Sequence, residues 1–371
     1  METCDALIIG GGPAGSSCAW QLHRHGLDVM VMDKSTFPRD KVCAGWITPA
    51  VVEALCLDTG DYARQHVLQP ITAFRTGLID GENVETRYPT TVSYGIRRCE
   101  LDNYLLHRSG ARLRLHQPLE SLQRDGKQWI INDVISTPLV IGAGGHFCPV
   151  ARFMGAKLGA AEPAIAAKEI EFEMSPAQRD DCRVRGDTPE LYFCPDLKGY
   201  GWCFRKGNYL NIGLGREGSH LLSEQLKYFF DFLKQRGRIP QHIQDSFHGH
   251  AYLLYGHAAR KQLDDGMLLV GDAAGLAYPQ SGEGIRPAVE SGLMAAATIL
   301  AVDGDYRREQ LLGYASRLEV RFGAATAPSA VCPAFLRDFL AGKLLSNKWF
   351  ARHVLLNRWF LHANKAAMQT A

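Results

Sequence analysis

Apolar residues fall in short runs bounded by glycine. The first, Ala6-Leu-Ile-Ile9, is apolar at every position and reads as a strand buried on both faces. It runs into Gly10-Gly-Gly-Pro-Ala-Gly15. Residues 16–25 then have helical composition and stop at Gly26, and residues 28–32 form a second strand closed by Asp33. This pattern predicts a βαβ unit. Late in the chain, Gly266-Met-Leu-Leu-Val-Gly-Asp-Ala-Ala-Gly275 predicts another buried strand, ending in Gly271-Asp272. The glycine-rich stretch Tyr278-Pro-Gln-Ser-Gly-Glu-Gly-Ile-Arg-Pro287 follows and opens an alanine-rich helix to about Ala301. Between these blocks the period changes. Residues 165–172 and 209–214 alternate, with turn residues at Pro195-Asp196 and at 205–208, which predicts antiparallel strands. Beyond Ala301 the chain reads as helical, with apolar and basic residues mixed.

The glycines of the first unit each have a mechanical task. Gly10 permits the tight turn, Gly12 lets a pyrophosphate approach the backbone, and Gly15 lets the helix pack on the strand. A pyrophosphate then meets the free N–H groups of a helix N-terminus. Asp33, 18 residues after Gly15, is placed to accept from a ribose hydroxyl, and its charge disfavours a 2′-phosphate. The later Gly271-Asp272 strand end and the turn holding Gly282 and Gly284 suit a longer, bipartite cofactor. Asp272 can accept from ribityl hydroxyls, and the helix N-terminus after Gly284 favours the negative charge of a reduced flavin ring.

Composition narrows the classes. The chain has 371 residues, 46% of them hydrophobic and 22% charged, which is ordinary for a globular protein of one large body with a second unit. Its 41 basic and 39 acidic residues leave +2, so neither a nucleic-acid partner nor acidic disorder is expected. No apolar run approaches the roughly 20 residues of a membrane span, and residues 1–9 lack the form of an export signal. A cytoplasmic protein with reduced thiols is expected. None of the ten cysteines forms CxxC or pairs with histidine at zinc spacing, so no metal site is expected. Residues 331–371 carry six basic residues against one acid, with Trp349 and Trp359 among them. This suits a peripheral membrane contact through residues 335–360, or a helix packed on the body.

Six segments in order carry a resemblance. They are GGGPAG at 10–15 with Asp33-Lys34, Phe37-Pro-Arg-Asp-Lys-Val-Cys-Ala-Gly45, Arg98-Cys-Glu-Leu-Asp102, Gly199-Tyr-Gly-Trp-Cys-Phe204, Gly271-Asp-Ala-Ala-Gly275 and Pro279-Gln-Ser-Gly-Glu-Gly-Ile285. Over about residues 4–300 the chain resembles the geranylgeranyl reductase family of FAD-dependent oxidoreductases, within the p-hydroxybenzoate hydroxylase fold. The resemblance implies an α/β fold: a Rossmann-like FAD-binding domain, an inserted antiparallel-sheet substrate domain and a helical C-terminal tail. The expected division is 1–66, 93–155 and 254–301 for FAD, 67–92 and 156–253 for substrate, and 302–371 for the tail.

It also implies roles. Gly10, Gly12, Ala14, Gly15 and Asp33 would hold the pyrophosphate and adenosine, and Leu122 would bring its backbone to the adenine. Cys43, Ala44, Arg98, Asp272, Gly282, Gly284 and Ile285 would surround the ribityl chain and flavin, with Cys43 a candidate proton source. Tyr200, Trp202 and Phe204, on one face of a strand, would line the substrate cavity. Two departures stand out. Gly144-Gly145 replaces an Asp-Gly pair, and Arg205 replaces a proline after Phe204, which predicts a more polar wall. The expected activity is reduction of carbon–carbon double bonds in a prenyl or other hydrophobic substrate by hydride from flavin N5. The alternatives are a monooxygenase or halogenase working through a C4a-hydroperoxide, and a flavoprotein binder without turnover. No second nicotinamide fingerprint is present, so NADPH binding transiently, or a ferredoxin-like protein, would supply electrons.

Overall fold

The computed structural model of the chain describes residues 1–157, 162–243, 246–257, 260–324 and 343–369. A six-stranded sheet draws its strands from both halves of the chain, in the order Leu263–Asp264, Met267–Leu269, Val140–Gly142, Ala6–Ile9, Val29–Asp33, Arg112–Leu115. All neighbours are parallel except the short edge Leu263–Asp264. Ala6–Ile9 lies inside it with all four residues buried, as its unbroken apolar run requires. The helix Pro13–Arg24 follows at once. Proline in its first turn needs no N–H partner, and His23 and Arg24 in its last turn complement the helix dipole. A Cβ on Gly15 would lie 2.0 Å from Gly10 O, so only glycine lets this helix seat on the strand before it. The helix Ile285–Ala301 packs alongside.

A seven-stranded sheet forms the second layer system, in the order His248–Tyr252, Ile165–Glu173, Tyr209–Arg216, Gly199–Lys206, Glu190–Phe193, Ala73–Leu78, Asn83–Arg87. Its pairs are antiparallel except that between Glu190–Phe193 and Ala73–Leu78. One face is covered by the helix Leu222–Gln235, whose Leu226, Phe229, Phe230 and Leu233 pack on Tyr192, Cys203 and Ile212. Each such Phe or Leu contributes about 1.5–3 kcal/mol by leaving water. The other face carries Trp202 and Phe204 and packs with Trp46, Phe74 and, from the tail, Leu355, Leu356 and Phe360. The chain is thus α/β, with a Rossmann-like body, a mostly antiparallel second sheet and a helical tail.

That tail begins its described part at residue 343. Lys348–Phe350 is one α-helical turn, and Ala351–Phe360 continues it as a wider π-type helix. Residues 335–342 of the proposed membrane segment lie outside the described residues. The stretch after the helix is bound to the Ile285–Ala301 helix by a buried arginine. Arg286 donates to Lys365 O at 2.8 Å and Ala366 O at 3.1 Å, and its Nε donates to Glu290 Oε1 at 2.8 Å. Arg321 Nε donates to the other oxygen of Glu290 at 2.8 Å.

Candidate active site

A cavity of about 550 Å³ lies where the Pro13–Arg24 and Ile285–Ala301 helices meet the second sheet. Gly10, Gly12, Ala14, Asp33, Cys43, Ala44, Arg98, Tyr200, Trp202, Asp272, Gly282, Gly284 and Ile285 all line it. Residues more than two hundred positions apart in sequence are therefore brought to one site. Gly15, Leu122 and Phe204 are not part of the lining. Gly15 is taken up by the helix–strand contact described above. Leu122 opens a strand, Leu122–Asp125, of a separate four-stranded sheet and pairs with Ile131. The chain reaches the cavity three residues earlier, with Gln117, Pro118 and Leu119. Phe204 shares the face of Tyr200 and Trp202, but its ring lies 5.2 Å from that of Trp46, within the core beyond the cavity.

Arg205 does not make the wall polar either. It sits on the opposite side of the strand, donating to Gly207 O at 3.3 Å and Arg179 O at 3.5 Å. The neighbouring Lys206 turns inward instead, to Glu171 at 2.7 Å and Ile96 O at 2.9 Å. Gly144, Gly145 and His146 occupy the other departure and line the cavity.

The residues present fit FAD. Two helix N-termini open into the cavity, and neither N-cap, Gly12 or Gly284, supplies a side-chain cap. A Cβ on Gly12 would meet only Arg39 Nη2, at 3.3 Å, and one on Gly284 only Asp272 Oδ1, at 3.3 Å. A ligand can therefore approach the backbone at both places. Gly10 has φ +119° and a Cβ there would fall 2.4 Å from Ala143 O, so the turn requires glycine. The Asp33 carboxylate accepts from Gly11 N and Ser35 N, each at 2.8 Å, and keeps lone pairs for a ribose hydroxyl. Arg98 forms a bidentate pair with buried Asp102, at 2.8 Å on both arms, and Arg39 approaches the same carboxylate at 3.4 Å.

Around Asp272 stand titratable groups to which the sequence motifs assign no role. Lys41 and His250 touch through Nζ and Nε2, and His250 Nε2 lies 3.7 Å from Asp272 Oδ2. Burial pulls Lys41 down to about 8 despite the attraction of Asp272, and burial also lowers His250. Burial would raise Asp272, but contacts with His250 and Lys41 hold it below the ordinary carboxylate range. Glu283, in the turn beside Gly284, accepts from Arg286 N at 2.7 Å, and burial pushes it up to about 7. Tyr200 donates to Ser281 O at 2.5 Å and so ties the aromatic wall to the same turn. His250 and Tyr252 lie on an edge strand whose sequence, His248-Gly-His-Ala-Tyr252, has neither hydrophobic alternation nor a motif. Reasoning from sequence missed them for that cause.

A family model described as an NAD(P)-binding Rossmann-like domain matches residues 8–46. The chain is similar to the menaquinone reductase of Mycobacterium tuberculosis, 30% identical over 321 residues, which cover 80% of this chain and 76% of that protein. It is also similar to the digeranylgeranylglycerophospholipid reductase of Methanocaldococcus jannaschii, 27% identical with 85% and 82% covered. Among solved structures, a geranylgeranyl bacteriochlorophyll reductase-like protein from Thermoplasma acidophilum shares the fold with TM-score 0.74 at 21% identity, over 93% of this chain and 88% of that one. A flavin-dependent halogenase does so with TM-score 0.68 at 19% identity, over 94% and 71%. The reductase relatives match well beyond the dinucleotide unit, and the cavity offers a cradle for a flavin as well as for its adenosine. This chain belongs to the geranylgeranyl reductase family of FAD-dependent oxidoreductases.

Proposed function

We propose that this reductase saturates carbon–carbon double bonds in the prenyl chain of a lipid or quinone. The observation that carries the reading is one part of the cavity lining: Trp46, Ala167, Leu191, Tyr200, Trp202 and Tyr252 give it an apolar and aromatic surface suited to a prenyl chain. Bound reduced flavin supplies a hydride to one alkene carbon, and the other carbon takes a proton. The chain's own part is to orient the substrate, exclude water and deliver that proton. In this reading the N–H groups at Gly12 and Ala14 hold the pyrophosphate, Asp33 the ribose and Asp272 the ribityl chain. The Gly282–Ile285 turn and Cys43-Ala44 border the ring. The Cys43 thiol interacts with the Arg98 guanidinium and is the candidate proton donor.

Residues 1–66, 93–155 and 254–301 serve the cofactor and 67–92 and 156–253 the substrate, with 302–371 as the C-terminal helical region. Electrons come from an external donor, NADPH or a ferredoxin-like protein. No helix among the described residues is long and apolar enough to cross a membrane. The tail gives the enzyme a reversible contact with the cytoplasmic face of a bilayer, supported by Trp349, which is 66% exposed among basic residues.

The test is to reduce the FAD-loaded protein without oxygen and add, separately, a menaquinone and a geranylgeranylated glycerolipid. Flavin reoxidation with a product two mass units heavier in its prenyl chain, after any quinol has been reoxidised in air, is the expected result. An unchanged lipid together with an oxygenated or halogenated product once air and halide are admitted would overturn the reading.

A further inference from the structure

Ala167, Glu169 and Glu171 alternate along the strand Ile165–Glu173 and share the face directed at the cavity, where Ala167 is part of the lining. The two acids are compensated very differently. Glu171 accepts from Lys206 Nζ at 2.7 Å and lies 3.4 Å from Arg97 Nε. Burial opposes its charge, but Lys206 and Arg97 hold it below the ordinary carboxylate range. Glu169 is 5% exposed and has no ion pair among the described residues. Its Oε1 accepts from the Cys43 N–H at 2.6 Å, and its Oε2 is buried without a hydrogen-bond partner.

The other side of the same peptide is also held. Asn211, opposite Glu171 on the next strand, donates Nδ2 to Cys43 O at 3.2 Å, and its Oδ1 accepts from Trp202 Nε1 at 2.7 Å. Gly213, opposite Glu169, makes this possible: a Cβ there would lie 2.3 Å from the Trp202 ring and 2.7 Å from Glu169 Cβ. The sheet thus grips both main-chain groups of a residue whose side chain belongs to the flavin cavity.

We propose that Glu169 is a positioning residue: with Asn211 it clamps the main chain of Cys43 and so sets where the thiol stands against flavin and substrate. The inference rests on the reading of Cys43 as a residue of the reaction cavity. Burial pushes Glu169 up to about 8, against the pull of the Cys43 N–H and of Lys206. At neutral pH the carboxyl is therefore mostly protonated, and a neutral amide can replace it. Glu171, Lys206, Asn211 and Cys43 are the polar groups that act on it.

The test uses the FAD-loaded protein at pH 7 and measures iodoacetamide alkylation at Cys43 by peptide mass spectrometry, with exposed Cys56 as the internal control. Glu169→Gln keeps an acceptor oxygen and is expected to stay within about twofold of wild type. Glu169→Ala releases the loop and is expected to raise the Cys43 rate about tenfold or more, because a thiol held in the cavity becomes open to the reagent more often once its main chain is free. If the alanine variant does not fold, Glu169→Asp, which retracts the carboxyl by one methylene, should show the same direction. A Cys43 rate unchanged in the alanine or aspartate variant, or a glutamine variant that behaves like alanine, overturns the clamp. Because alkylation needs no lipid, failure of the proposed lipid reduction leaves this result readable on its own.

Discussion

Gly15 and Gly284 carry opposite predictions for one and the same substitution. A side chain at Gly15 collides with the strand backbone, so Gly15→Val is expected to yield insoluble protein. Gly284 has φ −118°, which any residue adopts, and its Cβ meets only the Asp272 carboxylate and the cavity. Gly284→Val is therefore expected to fold with a thermal midpoint near wild type and to emerge colourless. A yellow, fully loaded Gly284→Val protein would show that the flavin does not pass this turn. Trp202 both lines the cavity and donates to Asn211, so two substitutions separate its tasks. Trp202→Phe keeps the apolar ring and leaves Asn211 Oδ1 unpaired, a loss of about 1–3 kcal/mol in denaturant unfolding with FAD retained. Trp202→Ala adds a core cavity and should cost about 3–5 kcal/mol. Glu283 gives a pH signature. Its folded value is raised to about 7 from an ordinary 4.5, so the protonated form is the one folding favours. Stability of the flavin-free protein should be highest below about pH 4.5 as far as this group is concerned, and decline as pH rises through 7. Glu283→Gln should flatten that decline in urea titrations between pH 5 and 8; an unchanged slope would assign it to other groups.

At the scale of elements, the Ile285–Ala301 helix does two jobs: its N-terminus faces the cavity and its first turns hold the tail through Arg286. Arg286→Met leaves Lys365 O and His362 O without this donor, while Ala366 O and Glu290 keep Arg321. It is expected to destabilise the protein by about 1–3 kcal/mol in urea unfolding, the cost of buried acceptors left unmatched. A shift well under 1 kcal/mol would show that Arg321 alone suffices. Nothing in the Gly-Glu-Gly-Ile-Arg string announces that latch, because its partners are main-chain oxygens far along the sequence. The glycine-rich turns were legible for the opposite reason. Gly10 answers to local backbone geometry, a positive φ in a tight turn, and the strand Ala6–Ile9 to its own apolar run. Alternation placed Tyr200, Trp202 and Phe204 on one face, but periodicity says nothing about where along that face a cavity stops and a core begins. Alternation likewise sets Glu169 and Glu171 apart from the apolar side of their strand, yet the rule that polar faces meet water would have sent both to solvent. Lys41 and His250 were illegible as a pair, since only the fold brings them together.

For the molecule as a whole, charge is nearly balanced, so attraction to a membrane has to come from local arrangement. Each basic residue close to an anionic bilayer contributes on the order of 1 kcal/mol, and salt shortens the reach of these charges. Co-sedimentation with phosphatidylserine-rich vesicles is expected at low ionic strength and should fall steeply at high salt. Trp349→Ala should weaken it, whereas Trp359 packs edge-on against Phe350, 5.8 Å between rings, and its loss should appear in stability instead. Absence of binding at low salt would assign residues 343–360 to packing alone. The position of these residues in the chain also sets a sequence of events during synthesis. The flavin cradle is complete once Ile285–Ala301 has emerged from the ribosome, while Leu355, Leu356 and Phe360 come later. In that interval Trp46 lacks the ring of Phe360 that packs on it, and Phe204 lacks part of the apolar cluster around it. Assembly of the cavity lining and burial of this apolar cluster are thus separated in time, and a chain halted between them leaves Trp46 and its neighbours open to water.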